Sequence, residues 1–222
     1  MGANFITGTG TDIGKTWLAC ALLNHWRGEG RRVAAFKPVL SGFDPAHAAT
    51  SDAGALLAAL GRDVSTAELD AIAPWRFAKP LSPDMAAACE GRRIDFDELV
   101  AYSRRVANAD SCPTLVEGVG GVMVPLNETH TVRDWIAASG FPCVLVTGSY
   151  LGSLSHALTA LVALQGVGAS VTAIVVNETP GSPVALDVTT KSLSDHVAGL
   201  PLVVISRARP EAGVAALATL LK

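Results

Sequence analysis

The chain has 222 residues, 17 of them basic and 20 acidic, for a net charge of −3, and half its residues are apolar. This excludes a disordered chain, which could not bury enough apolar surface, and a binder held to nucleic acid by a basic face. The length suits one large α/β domain or two small ones, with core enough for stability without staples. Cys20, Cys89, Cys112 and Cys143 are widely spaced and form no CxxC pair or Cys/His cluster, so reduced thiols in a cytoplasmic protein are expected. The N-terminal segment has no basic stretch of the secretory kind. Ile6 stands where a myristoylation signal needs Ser or Thr.

In chain order, Asn4–Thr7 reads as a strand and Gly14–Trp26 as a helix. Arg32–Phe36 is the next strand and Ser51–Leu60 the next helix. Gly61 to Ile94 reads as the longest irregular zone, with one short helix at Pro83–Glu90. A helix at Asp95–Ala107, a strand at Thr114–Glu117 and a helix at Val132–Ser139 follow. The remainder is strand Pro142–Thr147, helix Ser153–Gln165, strand Val171–Val176, helix Val184–Val197, strand Leu202–Ile205 and helix Glu211–Leu221. The strands are continuously apolar, as in a parallel sheet buried on both faces. The alternation predicts a doubly wound, mainly parallel α/β sheet with helices on both faces, its ligands at the carboxyl ends of the strands. No repeat, low-complexity tract or linker divides it, so 1–222 reads as a single domain.

From Trp135 to Asn177 there is no Asp, Glu, Lys or Arg. Pro142, Gly148, Gly152, Gly166 and Gly168 break this run into pieces too short to span a membrane. An uncharged helix such as Ser153–Gln165 needs cover on every side, which points to a second subunit.

The strongest motif is Gly8-Thr9-Gly10-Thr11-Asp12-Ile13-Gly14-Lys15-Thr16, between a strand and a helix as a phosphate-binding loop requires. Consecutive backbone N–H groups and the helix N-terminus form an anion site, Lys15 reaches the β and γ phosphates, and the Thr16 hydroxyl suits Mg²⁺. Gly8 lies one residue earlier than the usual first glycine. Glu117 ends an apolar strand where a metal-site acid belongs, and the following Gly118-Val119-Gly120-Gly121 implies a tight turn or close backbone approach. Lys37 directly follows the second strand; it fits a crevice-facing cation and a solvated loop lysine equally well. Asp52, taken alone, reads as a helix-start carboxylate. Asn177 ends a strand with an amide that can both donate to and accept from a purine edge, and no Asn-Lys-x-Asp guanine motif occurs there.

Together, Gly8–Thr16, Lys37-Pro38-Val39 with Ser41-Gly42, Ser51-Asp52, Glu117–Gly121 and Asn177 resemble the dethiobiotin synthetases of biotin biosynthesis. Lys79-Pro80-Leu81-Ser82-Pro83 and Leu151–His156 extend the resemblance over nearly the whole chain, and that family uses the longer loop. The resemblance implies closure of a ureido ring on 7,8-diaminopelargonate with CO₂ and MgATP, through a carbamate and a carbamic-phosphoric anhydride. It implies that Lys15, Lys37 and Thr11 serve the reacting phosphate and carbamate, and that Thr16, Asp52 and Glu117 hold Mg²⁺. Gly8, Asp12, Ile13, Gly14, Lys15, Thr16 and Asn177 would bind ATP. Ser41, Gly118 and Val119 would take the diamine end, and Gly152, Ser153 and Leu154 the carboxylate of a substrate bound across a homodimer. Asp12 replaces a longer Glu of some relatives, Val122–Val124 replaces aromatics of others, and Arg207 and Arg209 receive no role. A regulatory ATPase switch, of the kind that partitions DNA or positions septa, is the competing reading. Those proteins carry an extra lysine where this chain has Gly10, and a basic patch or amphipathic tail that is not evident here.

Overall fold

The computed structural model describes residues 2–109, 111–197 and 199–221. Six strands, β1 (Ala3–Gly8), β2 (Ala34–Phe36), β5 (Thr114–Glu117), β6 (Cys143–Gly148), β7 (Val171–Asn177) and β8 (Leu202–Ile205), form one parallel sheet in the order β2-β5-β1-β6-β7-β8. A doubly wound P-loop sheet is therefore the architecture. Successive strand residues serve opposite faces, as the two-residue period of a strand requires. Ile6, Leu115, Val144, Val146 and Val175 pack beneath α1 (Lys15–Gly28), α2 (Asp52–Leu60) and α9 (Pro210–Leu220). Phe5, Val116, Leu145, Ile174 and Val176 pack beneath α5 (Phe96–Ala107), α6 (Val132–Ser139), α7 (Ser153–Gln165) and α8 (Leu186–Ser194).

Local chemistry sets the helix ends. The Ser51 hydroxyl accepts from Gly54 N at 3.1 Å and the Asp95 carboxylate from Glu98 N at 3.0 Å, each satisfying an orphan donor of a first turn. Thr131 and Asp134 form a reciprocal capping box on α6. On the second face the buried Trp135 stacks edge-on to Phe5, ring centroids 4.7 Å apart. Its indole N–H donates to Ser103 Oγ at 3.0 Å, which donates on to Leu99 O at 2.8 Å, so this core polar pair is satisfied.

The zone read as irregular is more ordered than expected. It contains α3 (Thr66–Ile72), β4 (Trp75–Phe77) and α4 (Pro83–Cys89), and β4 pairs in parallel with β3 (Val39–Ser41) as a separate two-stranded sheet. Three-residue strands carry too little pattern to be seen in sequence. What makes them is partner geometry: Trp75 N donates to Pro38 O at 3.0 Å and Lys37 N to Ile72 O at 2.9 Å. The helix expected over Val184–Val197 is trimmed to Leu186–Ser194. No described helix is long and apolar enough to cross a membrane. The uncharged α7 is covered on one side only; Leu151 before it is 81% exposed and Val162 within it 67%.

Candidate active site

The strand order brings the carboxyl ends of β1, β2, β5 and β7 to one edge of the sheet, and each delivers one part of the site. β1 runs into the 8–16 loop, whose glycines answer to close approach. Gly14 has φ 89°, and a Cβ there would also sit 2.6 Å from Asn177 Nδ2. The Gly118–Gly121 run meets the same loop: a Cβ on Gly121 would lie 3.0 Å from Thr9 O, and Val122 N donates to Gly8 O at 2.9 Å. Asp12 holds φ 56°, a left-handed conformation that Asp tolerates better than most side chains.

Glu117, at the end of β5, is the centre of the constellation. Its Oε1 accepts from Thr16 Oγ1 and from Lys37 Nζ, both at 2.6 Å. Lys37 Nζ also lies 3.1 Å from Asp52 Oδ2 and donates to Gly118 O at 3.2 Å. The side chains of Lys37 and Glu117 are 3% and 1% exposed. Burial disfavours the Lys37 charge, but Glu117 and Asp52 outweigh it and hold its pKa above the ordinary lysine value. Burial likewise pushes the Asp52 carboxyl up, yet Lys37 prevails and its pKa falls below the usual range.

Lys15 is different. Its Nζ donates to Gly10 O at 2.6 Å and has no carboxylate in contact among the described residues. Burial and then the neighbouring Lys37 lower its pKa to about 8, against smaller opposing pulls from Glu117, Asp52 and Asp12.

A cleft of about 720 Å³ joins these groups. Thr11, Asp12, Gly14, Lys15, Thr16, Lys37, Ser41, Asp52, Glu117 and Val119 all line it, together with Pro80, Leu81, Ser82 and Pro83. The hydroxyls of Ser41 and Ser82 and the second oxygen of Glu117 are buried without partners among the described residues. An adjoining cavity of about 460 Å³ is lined by Asp12, Ile13, Gly14, Trp17, Asn177, Pro180, Ile205 and Arg207, among others. There Asn177 Nδ2 donates to Ile13 O at 2.7 Å, and its Oδ1 has no partner among the described residues. Gly8 and Gly118 support the floor through backbone hydrogen bonds. Gly152, Ser153 and Leu154 line neither cavity.

Among the described residues no group of three His, Cys, Asp or Glu gathers around a point. The donor set here is one hydroxyl and two carboxylates, Thr16, Asp52 and Glu117. That suits a hard cation completed by phosphate oxygens and water, and the free Glu117 oxygen fits such a ligand.

A family model described as an AAA domain matches residues 3–207. The ATP-dependent dethiobiotin synthetase BioD of Acidiphilium cryptum (strain JF-5) is 52% identical over 198 residues, covering 89% of each chain. The chain belongs to the dethiobiotin synthetase family. BioD of Caulobacter sp. (strain K31) is 47% identical over 93% of this chain and 89% of its own. BioD 1 of Escherichia coli O157:H7 is 37% identical over 78% and 76%. Among solved structures, hydrogenase maturation factor HypB of Archaeoglobus fulgidus superposes with TM-score 0.61 at 13% identity, covering 100% of this chain and 91% of its own. The cell division ATPase MinD of Pyrococcus furiosus gives 0.57 at 14% identity, covering 97% and 88%. At those identities the likeness is one of fold.

Sequence patterns assign no site role to Trp17, Ser82 or Glu178. The Glu178 carboxylate accepts from Arg207 N at 2.7 Å and Ser206 Oγ at 3.2 Å, tethering the loop after β8 beside the second cavity. Only the position of Trp17 directly after Thr16 could have flagged it.

Proposed function

We propose that this chain, as one catalytic domain, closes the ureido ring of dethiobiotin from 7,8-diaminopelargonate, CO₂ and ATP in the cytoplasm, and that it does so as a homodimer. The observation that carries this reading is the meeting of Thr16 and Lys37 on Glu117 inside the phosphate-loop cleft, in a chain 52% identical to a protein of that name.

One amine of the substrate adds to CO₂ and loses a proton, giving a carbamate. A carbamate oxygen attacks the γ phosphorus and ADP leaves, forming the carbamic-phosphoric anhydride. The second amine attacks the anhydride carbon and gives up a proton, phosphate departs with the C–O bonding pair, and the ring closes. These steps need fixed cations and dipoles more than a strong base.

The 8–16 loop, with Gly8, Asp12, Ile13 and Gly14, cradles the polyphosphate with its backbone, and Thr11 contacts it from the cleft. Lys15 and Lys37 carry the charge that the γ-phosphoryl group and carbamate share. Thr16, Asp52 and Glu117 would hold Mg²⁺, which supplies charge neutralisation on the phosphate oxygens. Ser41, with its unpartnered hydroxyl, and the Gly118–Val119 backbone receive the diamine end. Asn177 spends one N–H on Ile13 O and keeps its unpartnered Oδ1 and a second N–H for the base; the free acceptor suits an exocyclic amino group such as that of adenine. Gly152, Ser153 and Leu154, at the N-terminus of α7, serve the substrate carboxylate of the partner subunit, and the exposed Leu151 and Val162 give the dimer its apolar face.

The test is ADP release from MgATP and bicarbonate, with and without 7,8-diaminopelargonate. Release that depends on the diamine, with dethiobiotin formed, is the expected result. Hydrolysis indifferent to the diamine would overturn it.

A further inference from the structure

α1 carries two tryptophans in opposite situations. Trp26 belongs to the buried stripe Leu18, Ala19, Leu22, Leu23 and is 1% exposed. Trp17 lies off that stripe, is 46% exposed and joins neither hydrophobic core cluster. No ring–ring or cation–π contact engages it among the described residues. A single exposed aromatic is ordinary in itself; what sets Trp17 apart is its place at the first turn of the phosphate-loop helix.

That position supplies a use for the indole. The phosphate cleft and the cavity holding Asn177 share three lining residues, Asp12, Gly14 and Trp17. Gly14 has no side chain, and Asp12, which can serve a phosphate through its backbone N–H, has a small polar side chain with no apolar face to offer a base or sugar. Trp17 is therefore the one apolar surface common to both cavities. A ligand with its phosphates at Lys15 and Thr16 and its base at Asn177 must cross that boundary with its sugar. Across the base cavity the lining includes Pro180, Ile205, Pro210 and Arg207, the last on the loop tethered by Glu178.

We propose that Trp17 is a nucleoside-binding wall: its indole packs against the sugar and base of the bound nucleotide while the loop holds the phosphates. The inference rests on the nucleotide reading of the phosphate loop but not on the identity of the second substrate. Trp17 then contributes to binding, equally in ground and transition states, and its loss appears in KM and not in kcat.

The experiment uses the full chain with Mg²⁺ and compares wild type, Trp17→Ala and Trp17→Phe. Affinity is measured by calorimetry for ADP and for inorganic tripolyphosphate, with tryptophan fluorescence followed in parallel. Trp17→Ala should weaken ADP binding and raise KM for ATP by about ten-fold, the scale of one base–aromatic contact. Tripolyphosphate, which has no nucleoside, should bind wild type and Trp17→Ala alike. Trp17→Phe should recover most of the ADP affinity while losing the ADP-dependent change in fluorescence seen in wild type. Equal ADP affinity for wild type and Trp17→Ala, or equal weakening of ADP and tripolyphosphate, would overturn the proposal. Wild type that binds ADP with these signatures yet forms no dethiobiotin would leave the wall standing and remove the ring-closure reading. Wild type that binds no ADP would remove both.

Discussion

The two buried lysines of the cleft sit in regions built on opposite principles. At the end of β2, Lys37 is enclosed by Glu117, Asp52 and a carbonyl, and its charge is held more firmly than in water. In the phosphate loop, Lys15 is stripped of water by burial and repelled by Lys37, with only a carbonyl to bond, and its pKa falls to about 8. Against the ordinary lysine value that is about 3 kcal/mol of uncompensated cost for keeping the charge at neutral pH. The difference teaches which region is complete. Lys37 is already paired by the protein, whereas Lys15 is a cation whose partner must come from outside, as a polyphosphate would.

The largest test of this contrast is Lys37→Ala. It should lower turnover by ~10²-fold or more, by removing charge stabilisation in the transition state. It should also leave Glu117 buried and unpaired, at about 3–5 kcal/mol of stability. Thermal unfolding and steady-state rates read the two separately; unchanged turnover would sink the catalytic role. Lys15→Ala should behave in the reverse sense. Nucleotide affinity should fall by about ten-fold or more, the scale of hydrogen bonds to charged groups, while stability holds or rises because a costly charge is gone.

The same contrast has a pH signature. The folded pKa of Lys15 lies below its unfolded value, so between about pH 8 and 10.5 the unfolded chain binds more protons and this residue makes stability rise with pH. The folded pKa of Lys37 is raised, so its contribution is fully present below the unfolded lysine value and is lost only as pH climbs beyond it. Nucleotide affinity should fall as pH rises past about 8, with proton uptake on binding, and Lys15→Ala should flatten that slope. A flat profile in wild type would mean that Lys15 keeps its charge without a partner. The smallest expected effect is at Asn177, where Ala should blur the preference for ATP over other triphosphates with little change in phosphate affinity; an intact preference would remove it from the base cavity.

The phosphate loop, the strand-end position of Glu117 and the helix start at Asp52 were legible because each is local: a glycine spacing, an apolar run that stops at an acid, a serine cap before a helix. Lys37 was ambiguous, since nothing within its own segment separates a crevice from a solvated loop. The β3–β4 pair was invisible for the same reason. Its strands are three residues each, and their order comes from backbone partners more than thirty residues apart.

By itself, then, the chain's pattern determined the alternating α/β order, the phosphate loop and the family resemblance, because hydrophobic period, turn chemistry and motif spacing are written within a few residues. Only the tertiary structure decided that Thr16, Lys37, Asp52 and Glu117 meet, that Asn177 turns its donor to Ile13, and that Trp17 stands between two cavities. Those facts depend on which strands become neighbours. Placing β5 between β1 and β2 sets the charge environment of both lysines, and no segment of the sequence contains that information alone.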